Sequence, residues 1–292
     1  MKKNVLIVGC GKMGLSHLKS FLKKNFFTIY IIDKNNKKLK KIFNGNNKII
    51  FIKELSKLPN LDFCIVSTDS KPRYEILKKI IKKIRVETFL IEKFIFNKKY
   101  QYNNFKKKFK TDNIYVNVWG KFFYNKIKKK LLLFNNLQIN IQIQEKILLT
   151  NLIHLINFLS YFSNFKFLKS NNLKLIKSNS KGYDEILGEI QSSYKNNKLS
   201  IKTNRQKNIF SININDIRNQ KNLKIILDKK LNILFFYNKK IFSKIRFPLA
   251  SKYTYQIFKN NNLVPTYNEV SRDSLKILRF TEKYFKKPLS IR

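Results

Sequence analysis

Acidic side chains are scarce in this 292-residue sequence: 17 Asp and Glu stand against 62 Lys and Arg, a net charge of +45. Cysteine occurs twice, at Cys10 and Cys64, too few for a disulfide framework and in keeping with a reducing, cytoplasmic setting. Neither cysteine has metal-ligand spacing, and histidine also occurs only twice, at His17 and His154, so no metal site is expected. No apolar run reaches the roughly eighteen residues of a membrane span, because Lys and Asn interrupt every candidate. The opening Met1-Lys2-Lys3 and its short apolar run imitate a lipoprotein leader, but the run is too short and Lys12 breaks it, so no targeting segment is read. Glycine is sparse too, with 7 in all, and three of them fall at positions 9, 11 and 14.

What is present is a chain 43% hydrophobic, long enough for two domains with buried cores and too rich in Ile, Leu and Phe to be disordered. Its charge alone points to a polyanion partner such as nucleic acid. The distribution argues against that: residues 1–119 carry +20 and residues 120–292 carry +25, so no patch stands out. Lysine far outnumbers arginine, and Lys, Asn, Ile and Phe rise together, which is the mark of AT-rich codons rather than of a face built for bidentate phosphate contacts. No specific nucleic-acid or membrane partner is expected.

The most informative stretch is the start. An apolar run, Val5 to Val8, leads into Gly9-Cys10-Gly11-Lys12-Met13-Gly14 and then Leu15-Ser16-His17, which reads as strand, glycine turn and helix. A turn of this kind lets a pyrophosphate approach the backbone and rest on the positive end of the helix. A second apolar strand, Tyr30-Ile31-Ile32, ends in Asp33, nineteen residues after Gly14, where a ribose-binding carboxylate belongs. Gly9, Gly11, Lys12, Met13, Gly14 and Asp33 are therefore candidate dinucleotide contacts. NAD is preferred to NADP, since Asp33 can accept from both ribose hydroxyls and would repel a 2′-phosphate, although Lys34 leaves NADP open.

Strand and helix then alternate: helix at 35–43, strands at 48–52 and 61–67, helix at 72–84, strand at 88–91, helix at 97–110 and strand at 113–119. This predicts a doubly wound, Rossmann-type parallel sheet over residues 1–118. Ser67-Thr68-Asp69-Ser70 falls at a strand's carboxyl end, where Ser67 and Thr68 either line the cofactor or simply cap the next helix. Beyond residue 118 the pattern changes. After a helix over 121–134, Gln138 to Gln144 alternates polar and apolar, and weaker alternation recurs at 173–176, 186–194, 199–203, 209–214, 223–227 and 233–237. A run of such strands predicts an α+β domain over 119–292 with a large, mostly antiparallel open sheet. A helix at 151–161 interrupts it, and helices at 251–259 and 268–286 close the chain. On the first of these, helical spacing puts Thr150, Asn151, His154 and Asn157 on or near one face. A helical histidine among Leu and Ile is by itself more often a core residue than a ligand contact.

The strand at 88–91 delivers Glu92-Lys93. The order GCGKMGLSH, IID, VSTDSKPRYE and IEKF resembles the glucose-fructose oxidoreductase and inositol dehydrogenase family, over essentially the whole chain. That family's nucleotide domain ends in a Glu-Lys-Pro turn bearing the catalytic lysine; Lys93 matches it, with Phe94 in place of the proline, and Glu92 joins the cofactor contacts. The resemblance also implies that His154 faces the nicotinamide, with Thr150 where the family has an aspartate and Asn157 where a second acid is common. Tyr124, Thr150, Asn151 and Asn157 become candidate substrate contacts. These departures resemble members that act in surface-polysaccharide and unusual-sugar pathways.

The chemistry implied is hydride transfer between nicotinamide and a sugar-type carbinol or carbonyl carbon. Lys93 would take or donate the hydroxyl proton, and His154 would orient that hydroxyl or relay its proton. The resemblance further implies a homo-oligomer built on the second domain's sheet. Two other readings stay open: a nucleotide-binding protein with lost or altered catalysis, and a polyanion-binding protein.

Overall fold

The computed structural model describes residues 2–291 apart from 164, 166–167, 171, 179, 181, 207–208 and 247–249. The chain forms two compact units, one made of Met1–Val118 with Pro248–Ser271 and the other of Trp119–Phe247 with Arg272–Arg292.

In the first unit the elements run β1 (Lys3–Val8), α1 (Lys12–Leu22), β2 (Phe27–Ile32), α2 (Asn36–Ile42), β3 (Ile49–Phe51), β4 (Leu61–Val66), α3 (Ser70–Lys83), β5 (Val86–Ile91), α4 (Lys99–Lys108) and β6 (Ile114–Val116). Among the described residues they build a six-stranded parallel sheet in the order β3-β2-β1-β4-β5-β6. The order reverses between β1 and β4, which is where a doubly wound sheet leaves a crevice beyond its carboxyl edge. Both faces of the central strands are covered, so β1 and β4 read as unbroken apolar runs, with Val5 to Ile7 and Phe63 to Val66 fully buried.

The second unit opens with α5 (Gly120–Leu131), β7 (Gln138–Gln144), α6 (Leu148–Ser160), β8 (Lys174–Lys177), β9 (Asp184–Leu187), β10 (Glu189–Tyr194), β11 (Asn197–Asn204), β12 (Phe210–Asp216), β13 (Lys221–Leu227), β14 (Asn232–Tyr237) and β15 (Lys240–Arg246). Its main sheet runs β10-β11-β7-β12-β13-β14-β15 and is antiparallel except for the β11 and β7 pair. The alternation in β7 decides its faces. Ile139, Ile141 and Ile143 are buried in register with Leu199 and Ile201 on one side and Ile214 and Ile212 on the other, while the glutamines and Asn140 keep contact with water.

Two sequence expectations are corrected here. Residues 186–194 are not one strand: Gly188, at φ +122°, breaks the run, so that β9 pairs with β8 in a two-stranded sheet and β10 joins the main sheet. The edge strand β15 was not anticipated, because Ile241 and Phe242 lie exposed between lysines and do not mark a buried face.

The last two helices are α7 (Ala250–Lys259) and α8 (Tyr267–Phe285). The continuous second domain expected over 119–292 is corrected for α7, which belongs with the first unit. Phe258 packs edge-on against Phe63 at 5.0 Å and Phe27 at 5.6 Å, and Ile257 joins the same core as Phe21 and Ile65. Amphipathicity shows that such a helix has an apolar face, but not which of two sheets that face will cover.

Candidate functional site

Four main-chain hydrogen bonds align the carboxyl edge of the first sheet. Gly9 N–H donates to Ile32 O, Ser67 N–H to Val8 O, Glu92 N–H to Val66 O and Asn117 N–H to Ile91 O, at 2.8–3.0 Å. Asp33, Gly9, Ser67, Glu92 and Asn117 are therefore brought level across adjacent strands, although Gly9 and Asn117 lie more than a hundred residues apart in the chain.

The three glycines divide their work. Gly9 turns at φ +86°, and a Cβ there would lie 2.9 Å from the Thr68 amide nitrogen; a Cβ on Gly14 would stand 1.9 Å from the Gly9 carbonyl oxygen. These two glycines are demanded by the chain itself. A Cβ on Gly11, in contrast, would meet nothing within 4 Å. Gly11 also precedes α1, whose first turn has no side-chain cap and no acidic residue. The space above Gly11 fits the close approach of a pyrophosphate to helix-terminal N–H groups.

Asp33 is half-buried and accepts hydrogen bonds from Cys10 N–H and Asn35 N–H, both at 2.6 Å. Each oxygen retains lone pairs for ribose hydroxyls. Burial, with the Asp33 charge adding to it, pushes the Cys10 thiol up to about 12, so this cysteine is not a nucleophile at neutral pH. Ser67 donates its hydroxyl to the carbonyls of Gly9 and Val8 and thereby shapes the glycine turn. Thr68 differs, because its hydroxyl oxygen is buried without a hydrogen-bond partner beside that turn. An orphaned hydroxyl there suits a ligand group that supplies the missing bond.

Glu92 lies almost fully buried, and one carboxylate oxygen accepts from Asn117 Nδ2 at 2.6 Å and pairs with His17 Nε2 at 2.9 Å. His17 Nδ1 meets the Thr254 hydroxyl at 2.7 Å. Through these bonds Glu92 ties together α1, the residue that follows β6, and α7. Burial alone would raise the Glu92 pKa, but the His17 and Asn117 hydrogen bonds and the neighbouring Arg73 charge outweigh it and hold the carboxyl below its usual range. A pKa lowered by folding contributes stability that is complete above the unfolded value of about 4.3 and is lost as pH falls through the folded value. Glu92→Gln is accordingly expected to cost about 1–3 kcal/mol at pH 7 and to flatten the acid limb of a melting-temperature profile, as measured by calorimetry between pH 3 and 7.

Lys93 follows, half-buried, at the carboxyl end of β5, and the Lys93–Phe94 peptide is cis. Arg73 was given no role from the sequence, yet it is buried within the same turn and donates to the carbonyls of Thr68, Glu92 and Phe94.

In the second unit, His154 on α6 stacks its ring on Trp119 at 4.8 Å and 14°, and its Nδ1 accepts from the Trp119 amide at 3.3 Å. The neutral ring then carries its proton on Nε2 and presents a donor there. Thr150, four residues earlier, gives its hydroxyl to Glu185 Oε2 at 2.9 Å; Leu149 N–H and Thr150 N–H bond the same carboxylate, which caps α6 from β9. Burial raises the Glu185 pKa, with these hydrogen bonds opposing. Asn151 returns its amide to Ile147 O on its own helix. Tyr124 stacks on Tyr161 at 5.1 Å and 17°, a partly exposed aromatic pair. Asn157 is fully buried against Gly120 and donates to Asp273 Oδ2 at 3.0 Å. Among the described residues no cluster of His, Cys, Asp and Glu could hold a metal ion, and no helix is long and apolar enough to cross a membrane.

The sequence pattern of the shikimate / quinate 5-dehydrogenase family matches residues 1–94. No curated protein matches the chain. Solved structures match it along its length: the MviM dehydrogenase of Clostridium difficile at 14% identity and TM-score 0.67, covering 98% of this chain and 99% of that one; a super-repressor mutant of Gal80p from Saccharomyces cerevisiae at 11% and 0.72, covering 99% and 98%; and a myo-inositol dehydrogenase from Corynebacterium glutamicum at 10% and 0.67, covering 100% and 99%. The fold is therefore the one expected from the resemblance to the glucose-fructose oxidoreductase and inositol dehydrogenase family.

Proposed function

We propose that this chain, which has the fold of those solved structures, is an NAD(P)-dependent oxidoreductase acting at the carbinol or carbonyl carbon of a sugar or sugar derivative. One observation carries the reading: open space above Gly11, an uncapped α1, the orphaned Thr68 hydroxyl and Lys93 all lie along one strand edge. The α1 terminus with Gly11, Lys12 and Met13 would hold the phosphates, Asp33 the adenosine ribose, and Thr68 a further polar group. The bound dinucleotide supplies hydride transfer. Lys93 Nζ holds or removes the hydroxyl proton of the substrate. His154, fixed as an Nε2 donor by Trp119, orients the substrate oxygen, and the Tyr124 and Tyr161 pair offers an apolar face to a sugar ring. The wet face of β7, with Gln138, Asn140, Gln142 and Gln144, supports self-association through a hydrated interface.

NAD is the preferred cofactor, on the strength of the Asp33 carboxylate. Fluorescence titration is expected to show NADH binding at least as tightly as NADPH, and Asp33→Ser to shift the ratio toward NADPH by about tenfold or more. Parent binding of NADPH tenfold tighter than NADH overturns the preference, and binding of neither overturns the proposal. With a cofactor found, thermal shift with a panel of sugars and nucleotide sugars locates the substrate class.

A second reading, dinucleotide binding without turnover, is favoured by one feature: α6 has no acidic residue, and where the family has an aspartate Thr150 bonds its hydroxyl to Glu185. Oxidation or reduction of any sugar in the panel excludes it.

A further inference from the structure

Arg73 lies on the first turns of α3 and is only 2% exposed. Its Nη1 donates to the carbonyl oxygens of Glu92 and Phe94 and reaches that of Ile95 at 3.4 Å, while its Nη2 donates to the carbonyl of Thr68. Three of these four acceptors bracket Lys93. The fourth is the residue whose hydroxyl stands orphaned beside the glycine turn.

A guanidinium is costly to bury, and a buried one has to find acceptors in the plane of its fork. Main-chain carbonyls that converge on one point repel one another unless a donor sits between them. The two needs meet here. The side chain of Glu92 is held separately, by His17 and Asn117, so main chain and side chain on the residue before Lys93 are each pinned by a different element. A lysine amine would supply one compact charge with three donors on a flexible stem. The planar fork alone spans carbonyls on two strands at once.

We infer that Arg73 is a positioning residue: its guanidinium fork fixes the backbone from Glu92 to Ile95 and so sets the direction in which the Lys93 side chain leaves the turn. The inference rests on the proposed role of Lys93 in proton transfer, and its consequence is that shape, more than charge, matters at position 73.

The test uses Arg73→Lys, which keeps the charge, and Arg73→Ala, which leaves a cavity that ethylguanidinium can enter. The first readout needs no reaction: amide hydrogen exchange across residues 92–97, by mass spectrometry on the cofactor-free chain, is expected to speed up by about tenfold or more in Arg73→Lys, with other strands of the sheet unchanged. The second is kinetic. Misdirecting a reacting group by an ångström costs on the order of a hundredfold, so kcat of Arg73→Lys is expected to fall about ten- to hundredfold with NADH affinity within about threefold. Millimolar ethylguanidinium is expected to restore at least about fivefold of the lost turnover in Arg73→Ala and none in Arg73→Ala combined with Lys93→Met. Unchanged exchange at 92–97 overturns the inference whatever the kinetics, and so does parent-like kcat in Arg73→Lys. Faster exchange, together with parent-like turnover in Lys93→Met alone, shows the turn to be held as inferred and the role of Lys93 to be mistaken. If Arg73→Ala does not fold, the exchange and kcat of Arg73→Lys decide the matter.

Discussion

Lys93→Met is expected to lower turnover by about two to four orders of magnitude while dinucleotide affinity stays within about threefold. Methionine preserves the length and bulk of the side chain and removes the titrating amine, while Arg73 and Glu92 continue to hold the main chain of the turn. The hydroxyl proton has to leave the substrate as its carbon is oxidised, and without an amine at this position water must take it. His154→Asn is expected to cost less. With its Nδ1 engaged by the Trp119 amide, His154 offers a donor at Nε2; an asparagine amide falls short of that position, so the substitution removes an orienting contact but leaves the proton-transferring amine in place. The pH dependence of kcat separates the two roles. A limb belonging to the amine is present in the parent and in His154→Asn and absent from Lys93→Met. If Lys93→Met turns over like the parent, the chemistry does not belong to this turn.

Gly14→Ala is expected to abolish dinucleotide binding, and Gly11→Ala to weaken it by about tenfold or more while leaving the fold intact. At Gly14 the new methyl would stand 1.9 Å from the Gly9 carbonyl and 2.8 Å from the Ser67 hydroxyl, and the nearer of these is backbone that cannot swing aside. Either α1 moves off the strand or the glycine turn opens, and a loss of several kcal/mol follows. At Gly11 the methyl meets no protein atom, and the backbone, at φ −66°, is one alanine adopts without strain. Melting temperature is then expected to be unchanged or slightly raised. Only a ligand pressed against that surface would notice the substitution. Circular dichroism melts and NADH titrations on the two variants therefore distinguish a glycine needed for folding from one needed for binding. Equal affinity of Gly11→Ala and the parent would remove the pyrophosphate from this place.

The architecture was legible because its signals are local. Three glycines at fixed spacing after an apolar run, an acid at the end of the next strand, and a switch from helix-strand alternation to period-two alternation near Val118 each arise from contacts between neighbours in sequence. They place Gly9, Asp33, Ser67 and Lys93 at strand ends from the sequence alone. Polar–apolar alternation likewise showed which face of β7 is buried, since side chains in a strand point to opposite sides regardless of what covers them.

What tertiary structure alone decided are partnerships across long separations. Asn157 carries the same signal on its helix as His154, but Gly120 and Asp273 enclose it, and neither is a neighbour in sequence. Glu185 caps α6 from thirty-six residues away, and Gly188 sends the strands on either side of it to different sheets. Arg73 is one basic residue among 62 in the sequence, and nothing nearby marks it as buried. Its acceptors are main-chain carbonyls, which every residue possesses. Periodicity and spacing report the direction of a side chain relative to its own element; what it meets there depends on which elements pack together, and the chain settles that only when it folds.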